Sequence, residues 1–210
     1  MIRVIVCDDH PILREGLKKI ISQSKDIVVV DEAADGRELL KKLGKTGCDV
    51  VSLDLSFPEE SGLDLLKNVL SVRPEVAVLI LSMHPEDQYA VRALKSGASG
   101  YVVKGSAPSE LLGAIRKVAS GSKYVSPTLA EQLVEELEGK RERPPHEDLS
   151  EREYEVLRLI ASGKSVKEIA SALYISPPTI GTYRARILAK LKLKNTAEMI
   201  HYAISNKLVD

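Results

Sequence analysis

Residues 49–54, Asp49-Val50-Val51-Ser52-Leu53-Asp54, form a short apolar run that stops on an acid. A second run, Ile2 to Cys7, stops on an acid pair, Asp8 and Asp9. Two more end on polar groups: "VAVLIL" at Ser82 and "SGYVV" at Lys104. If each run is a strand, the acids, the hydroxyl and the amine converge on the carboxyl-end rim of a parallel sheet, where open α/β sheets bind ligands. Working outward, β-branched runs alternate with segments of helical period. The pattern predicts strands at Ile2 to Cys7, Ile27 to Ala33, Val50 to Asp54, Val76 to Leu81 and Gly100 to Val103. The helices predicted after them are Pro11 to Ser22, Gly36 to Leu43, Leu63 to Val72, Glu86 to Ser96 and Pro108 to Ser120. Five strand-then-helix units imply an α/β fold with a five-stranded parallel doubly wound sheet, whose strands are continuously apolar because both faces are covered.

A helix is expected from Pro127 to Glu138, followed by Gly139-Lys140-Arg141-Glu142-Arg143-Pro144-Pro145, a charged, proline-bearing stretch without apolar period. That composition marks a linker. Beyond it the sequence predicts helices only: Ser150 to Ser162, Ser165 to Leu173, Pro177 to Leu191 and Thr196 to Lys207. The expected division is therefore a domain at 1–122, a helical segment and linker at 123–148, and a separate all-α four-helix domain at 149–210.

The 210 residues, 44% hydrophobic and 29% charged, suit a globular protein of one large or two modest domains. The zero net charge conceals an asymmetry. Residues 149–210 carry 10 basic and 6 acidic side chains, which puts any nucleic-acid contact there. Cys7 and Cys48 lack metal or redox spacing and read as reduced core thiols. Acids arrive by Asp8, leaving no room for a signal-peptide core, and no run approaches a membrane span, so a cytoplasmic chain without membrane contact is expected.

These residues carry a resemblance. Asp8-Asp9-His10, Leu53-Asp54-Leu55-Ser56 with Pro58 and Gly62, Ser82 in "LSMH" and Gly100-Tyr101-Val102-Val103-Lys104 resemble, in order, the receiver domain of two-component response regulators, a flavodoxin-like fold. Downstream, Leu149-Ser150-Glu151-Arg152-Glu153, "LIASGKSVKEIA" and Ile175-Ser176 before Thr179-Ile180 resemble the LuxR-type helix-turn-helix of the NarL/FixJ class. The resemblance covers nearly the whole chain. It implies that Asp54 accepts a phosphoryl group from a phosphohistidine on a sensor histidine kinase, with Lys104 as a second cation and Ser82 bonding a phosphoryl oxygen. Tyr101 would then rotate into the space left by the Ser82 loop. It further implies Mg²⁺ held by Asp9, Asp54 and the carbonyl of Ser56, with Asp8 acting through water. Forced-together carboxylates and a hard divalent cation suit each other. His10 and His84 read as solvated residues near helix starts.

In the second domain Ser176 is an N-cap and Pro177 takes the first helical position, where its missing N–H costs nothing. Ile180, Ile187, Leu188 and Leu191 recur as a buried stripe, which leaves Pro178, Thr182, Ala185, Arg186 and Ala189 outward. From Ile169 to Ala197 there is no acid, which suits a surface facing phosphates. The resemblance puts this helix in the major groove of promoter DNA, with Thr179, Gly181, Thr182, Arg184, Ala185, Arg186 and Lys190 as the expected contacts. Members of the family often have a long polar residue where this chain has Gly181, and commonly His where it has Tyr183, so the base code is not transferable. Met199, Ile200, Ala203 and Ile204 align along the last helix as a dimer face or as core. A homodimer formed on phosphorylation is expected, with RNA polymerase a further partner.

The expected function is thus a phosphorylation-controlled transcriptional regulator and not a metabolic enzyme; receiver chemistry is confined to its own phosphoryl transfer and dephosphorylation. An aspartate-nucleophile phosphatase would generally need a second acid two residues on, where this chain has Ser56. A stand-alone receiver would not carry the basic helical domain. Phosphorylation-independent DNA binding is the alternative within the same class, and the complete set of acids, hydroxyl and lysine argues against it.

Overall fold

A computed structural model of the chain describes residues 1–57, 61–83, 86–137, 144–206 and 208–209, with the side chains of 86–88, 135–137 and 151 outside the description. Pro58, His84, residues 139–143 of the expected linker and Lys207 lie outside the described residues. Contacts divide the chain into two units, 1–142 and 143–210.

In the first unit, β1 (Ile2–Cys7), β2 (Ile27–Ala33), β3 (Val50–Asp54), β4 (Ala77–Ser82) and β5 (Gly100–Val103) form one parallel sheet in the order β2-β1-β3-β4-β5. Helices α1 (Pro11–Ser22), α2 (Gly36–Leu43), α3 (Gly62–Val72), α4 (Glu86–Lys95) and α5 (Pro108–Ala119) follow the strands in turn. On one face Val4, Val6, Val50, Leu79, Leu81 and Val102 pack with Leu17 and Ile21 of α1 and with Leu111, Ala114, Ile115 and Val118 of α5. The alternate residues Ile5, Val51, Leu53, Val78, Ile80 and Tyr101 are buried too. Both faces are therefore dry, and that is why these strands show no polar alternation. Each such aliphatic side chain contributes about 2 kcal/mol by leaving water. Cys7 and Cys48 are free and buried.

The strand order creates the site. The chain places β2 on one side of β1 and β3 on the other, and at this reversal the loops diverge and open a crevice. Cys7 is the register partner of Leu53, so Asp8 and Asp54 stand one step beyond, on adjacent strands. Strand β4 is shifted one residue from its expected span because Ser82 joins the ladder opposite Val103. Gly62 opens α3 against the loop after β3, where a Cβ would lie 2.4 Å from Leu55 Cα. Only glycine allows that approach, which holds the Asp54 loop down on α3.

After α5, Tyr124 makes an isolated parallel bridge with Gly100, and the Lys123 ammonium donates to the Ala98 carbonyl at 2.7 Å. Helix α6 (Pro127–Leu137) then packs against α4 with Leu129 fully buried.

The second unit has a 3-10 turn (Pro145–Asp148), then α7 (Glu151–Ala161), α8 (Val166–Ala172), α9 (Pro177–Leu191) and α10 (Thr196–Ser205). Ser150 with Glu153, and Ser165 with Glu168, form capping boxes that satisfy the free N–H groups of α7 and α8. Ser176 and Asn195 cap α9 and α10 through their side-chain oxygens. The sequence thus sets each helix start locally, and packing of α7 on α9 and α10 closes the core.

His146 lies in the 3-10 turn with Nδ1 3.0 Å from the Tyr202 hydroxyl of α10 and its ring 6.2 Å from that of Tyr154. Burial holds this imidazole below the usual histidine range. The fold therefore favours the neutral ring, and its contribution to stability is complete above the unfolded value of about 6.5 and is lost as pH falls through the depressed folded value. The unfolding midpoint is expected to drop as pH falls below about 6.5, and to drop less in His146→Gln. Equal pH profiles of the two proteins, followed by circular dichroism, would contradict this.

Candidate functional site

Four strand ends supply the pocket in the first unit. Lys104 follows β5, yet its ammonium reaches across the rim to lie 2.9 Å from Asp8 Oδ2 and 2.7 Å from Asp54 Oδ2. All three side chains are nearly inaccessible, that of Lys104 being 4% exposed. Asp54 Oδ1 accepts the Ser56 N–H at 3.1 Å, and Asp8 Oδ1 accepts the His10 N–H at 2.8 Å. Ser82 is fully buried at the end of β4, and its carbonyl accepts the Lys104 N–H at 2.7 Å, which ties the β4 and β5 ends together. Tyr101 is fully buried within β5.

Burial raises the Asp54 pKa, and the neighbouring Asp8 raises it further against the pull of Lys104 and the Ser56 N–H. For Lys104, burial works to lower the pKa, but Asp54 and Asp8 together outweigh it and the net direction is up. Two carboxylates thus share one ammonium, with Asp9 beside them, so the pocket carries excess negative charge. Asp8, Asp9, His10 and Asp54 offer four ligand atoms within 4.8 Å of one another. Their carboxylate oxygens form a hard donor set suited to a small divalent cation.

Two residues in the pocket escaped the sequence reading. His10, expected only to be solvated, is half exposed, but its Nδ1 lies 2.7 Å from Asp9 Oδ1 and so belongs to the acidic cluster. The backbone of this N-cap residue is extended, and its side chain makes no capping hydrogen bond to α1. Arg14, one turn into α1, donates from Nη1 to the Asp8 carbonyl at 2.6 Å and from Nε to Glu32 at 3.3 Å. It holds the end of β1 in place. The available signal was its position five residues after an acid pair, which does not identify a carbonyl as partner.

In the second unit, α9 buries Ile180, Tyr183, Ile187 and Leu191, whereas Leu188 is only partly buried. The expected stripe of Ile180, Ile187, Leu188 and Leu191 is corrected accordingly. At 100° per residue Tyr183 falls on the Ile180–Ile187 side and Leu188 on its flank, and the aromatic ring fills the core. Gly181, Thr182, Arg184, Ala185 and Arg186 are exposed, and Thr179 is partly covered. Thr179 pairs its hydroxyl with the Ser176 hydroxyl at 2.7 Å. Lys190, although exposed, turns its ammonium inward to Glu153 at 2.6 Å. On α10, Met199 and Ala203 are core, Ile200 is partly buried, and Ile204 is 56% exposed. Among the described residues no helix is long and apolar enough to cross a membrane.

The family described as "Response regulator receiver domain" matches residues 4–116, and "Bacterial regulatory proteins, luxR family" matches residues 147–203. The response regulator UvrY of Escherichia coli (strain K12) is 35% identical over 209 residues, 99% of this chain and 96% of UvrY. The oxygen regulatory protein NreC of Staphylococcus epidermidis is 38% identical over 216 residues, 99% of each chain. Among solved structures, RcsB from Salmonella enterica serovar Typhimurium, bound to promoter rprA in the presence of the phosphomimetic BeF3-, is similar with a TM-score of 0.61 and 29% identity over 96% of this chain and 97% of RcsB.

Proposed function

Because this chain belongs to the two-component response regulators that join a receiver domain to a LuxR-type DNA-binding domain, we propose that it is switched by transfer of a phosphoryl group from a sensor histidine kinase to Asp54. The observation that supports this most directly is the buried Asp54 carboxylate at the end of β3, 2.7 Å from the Lys104 ammonium and flanked by Asp8.

A carboxylate oxygen of Asp54 attacks phosphorus, the bond from phosphorus to the donor imidazole nitrogen breaks, and an aspartyl phosphate forms. The Ser56 N–H steadies the other carboxylate oxygen, and Lys104 faces the charge on the transferring oxygens. Mg²⁺ fits this donor set: Asp9, Asp54 and the Ser56 carbonyl would hold it, with Asp8 through water. When bound it would neutralise charge on the phosphoryl oxygens. The Ser82 hydroxyl bonds one of those oxygens, and Tyr101 moves into the space that the Ser82 loop leaves. The only reactions catalysed are this transfer and the later hydrolysis of its product.

The output is promoter binding as a dimer, with the outer face of α9 in the major groove. The complex of RcsB with a promoter supports this reading. With Thr182 and Ala185 both small, contact with thymine methyls and readout of DNA shape weigh more than bidentate hydrogen bonds. The test is selection from a pool of random duplexes by the full chain, with and without phosphoramidate and Mg²⁺. A sequence enriched in repeated half-sites, and enriched more with the phosphodonor, is expected. Equal enrichment in both states would favour phosphorylation-independent binding instead.

Gly181 gives a separate expectation. A Cβ at this position meets nothing within 4 Å, so no contact within the protein requires glycine. Gly181→Lys should therefore raise domain stability, by about 0.7 kcal/mol from helix propensity. If the backbone approaches DNA here, the same change weakens binding to the enriched duplex more than to a scrambled one, and that is the expected result. Tighter binding, with a log–log salt slope steeper by roughly 0.9, would instead mark a vacant phosphate-contact position.

A further inference from the structure

The basic residues of the α9 region are not equivalent. Arg184, Arg186, Lys192 and Lys194 are exposed, and among the described residues the only ion pair made by this group together with Lys190 is that of Lys190. Its ammonium lies 2.6 Å from Glu153 Oε2 and donates to the Asp148 carbonyl at 3.2 Å. The Glu153 side chain is 4% exposed against 41% for Lys190. The same Glu153 oxygen accepts the Ser150 N–H at 2.7 Å, closing the capping box of α7. A buried carboxylate is costly unless a cation and hydrogen bonds compensate it. Arg152, also on α7, directs Nη1 to Glu155 at 2.8 Å. Lys190 thus joins three elements: the last turn of α9, the first turn of α7 and the 3-10 turn that begins this unit.

We propose that Lys190 is a positioning residue for sequence recognition and not a phosphate contact. It rests on the DNA-binding reading above. The Lys190 clamp fixes the angle at which α9 presents Thr182 and Ala185, and recognition of base edges tolerates little angular slack. Phosphate contacts support specific and non-specific binding alike and set the salt dependence, whereas base contacts carry the discrimination. Loss of the clamp should therefore reduce specific affinity and leave the salt slope alone.

The experiment compares the full-length wild type, Lys190→Gln and Glu153→Gln on the duplex enriched by the wild type and on a scrambled duplex of equal length, across a salt series. Lys190→Gln should weaken binding to the enriched duplex by about tenfold or more while the scrambled duplex changes little, with an unchanged slope. Glu153→Gln should reproduce that loss although Lys190 keeps its charge. If Lys190 touches phosphate, Lys190→Gln instead weakens both duplexes alike and lowers the slope by roughly 0.9, and Glu153→Gln binds as well as the wild type or better. Either result overturns the proposal. Should the variants not fold, lysine methylation footprinting of the wild type decides: Lys190 reacts slowly and equally with and without DNA if clamped, and strong protection only in the complex overturns the assignment. A wild type that enriches no sequence removes the DNA-binding reading and this proposal with it, whereas an enriched site with a lowered slope removes the proposal alone.

Discussion

Asp54→Asn is expected to take up no phosphoryl group from phosphoramidate and Mg²⁺ under conditions that modify the wild type fully. The amide keeps the shape of the side chain but lacks the anionic oxygen that attacks phosphorus, so the loss is complete and not graded. The fold should survive. Because burial and Asp8 already raise the Asp54 pKa, the folded state disfavours its charged form, and a neutral amide should leave stability unchanged or higher. Intact mass spectrometry is the measurement, with the wild-type adduct lost rapidly in base and on treatment with hydroxylamine, as an acyl phosphate requires. Uptake by Asp54→Asn at the wild-type rate would end the assignment of the acceptor.

Lys104→Met is expected to destabilise the first unit by about 3 kcal/mol at neutral pH, because it leaves Asp8 and Asp54 facing each other in a dry pocket without the ammonium they share. Mg²⁺ should then raise the unfolding midpoint of Lys104→Met more than that of the wild type, since the ion takes over the charge compensation. Combining Lys104→Met with Asp54→Asn should cost less than Lys104→Met alone, because one of the two unpaired carboxylates is gone. Unfolding in denaturant, followed by circular dichroism, measures all three effects. An unchanged midpoint for Lys104→Met would mean that the carboxylates are not coupled through Lys104.

Much of this architecture could be read locally. The strands were visible because burial on both faces demands uninterrupted apolar runs, and the start of α9 because Ser176 is a good cap before Pro177. Element ends were less visible. Ser82 has no apolar signal, and only its ladder partner Val103 puts it in β4. Tyr183 carries no clear hydropathy signal, because tyrosine is both aromatic and polar, and only the packing of α9 puts its ring in the core. The pocket acids, Ser82 and Lys104 could be picked out because each ends an apolar run. His10 and Arg14 could not, because one binds a neighbouring side chain and the other a backbone carbonyl, and neither partner has a sequence signature.

The sequence by itself determined the alternation of strands and helices, the change to a basic all-helical second unit and the residues available for chemistry. These are properties of composition and period, felt within one element. Only the tertiary structure decided which of those residues meet. The order β2-β1-β3-β4-β5 stands Asp8 beside Asp54, and the reach of Lys104 from β5 makes one ammonium serve both. In the second unit the basic run from Arg184 to Lys194 looked uniform, yet the buried Glu153 carboxylate captures Lys190. Partner choice of this kind is a long-range matter: the desolvation of a charge depends on what packs over it, and residues distant in the chain do that packing.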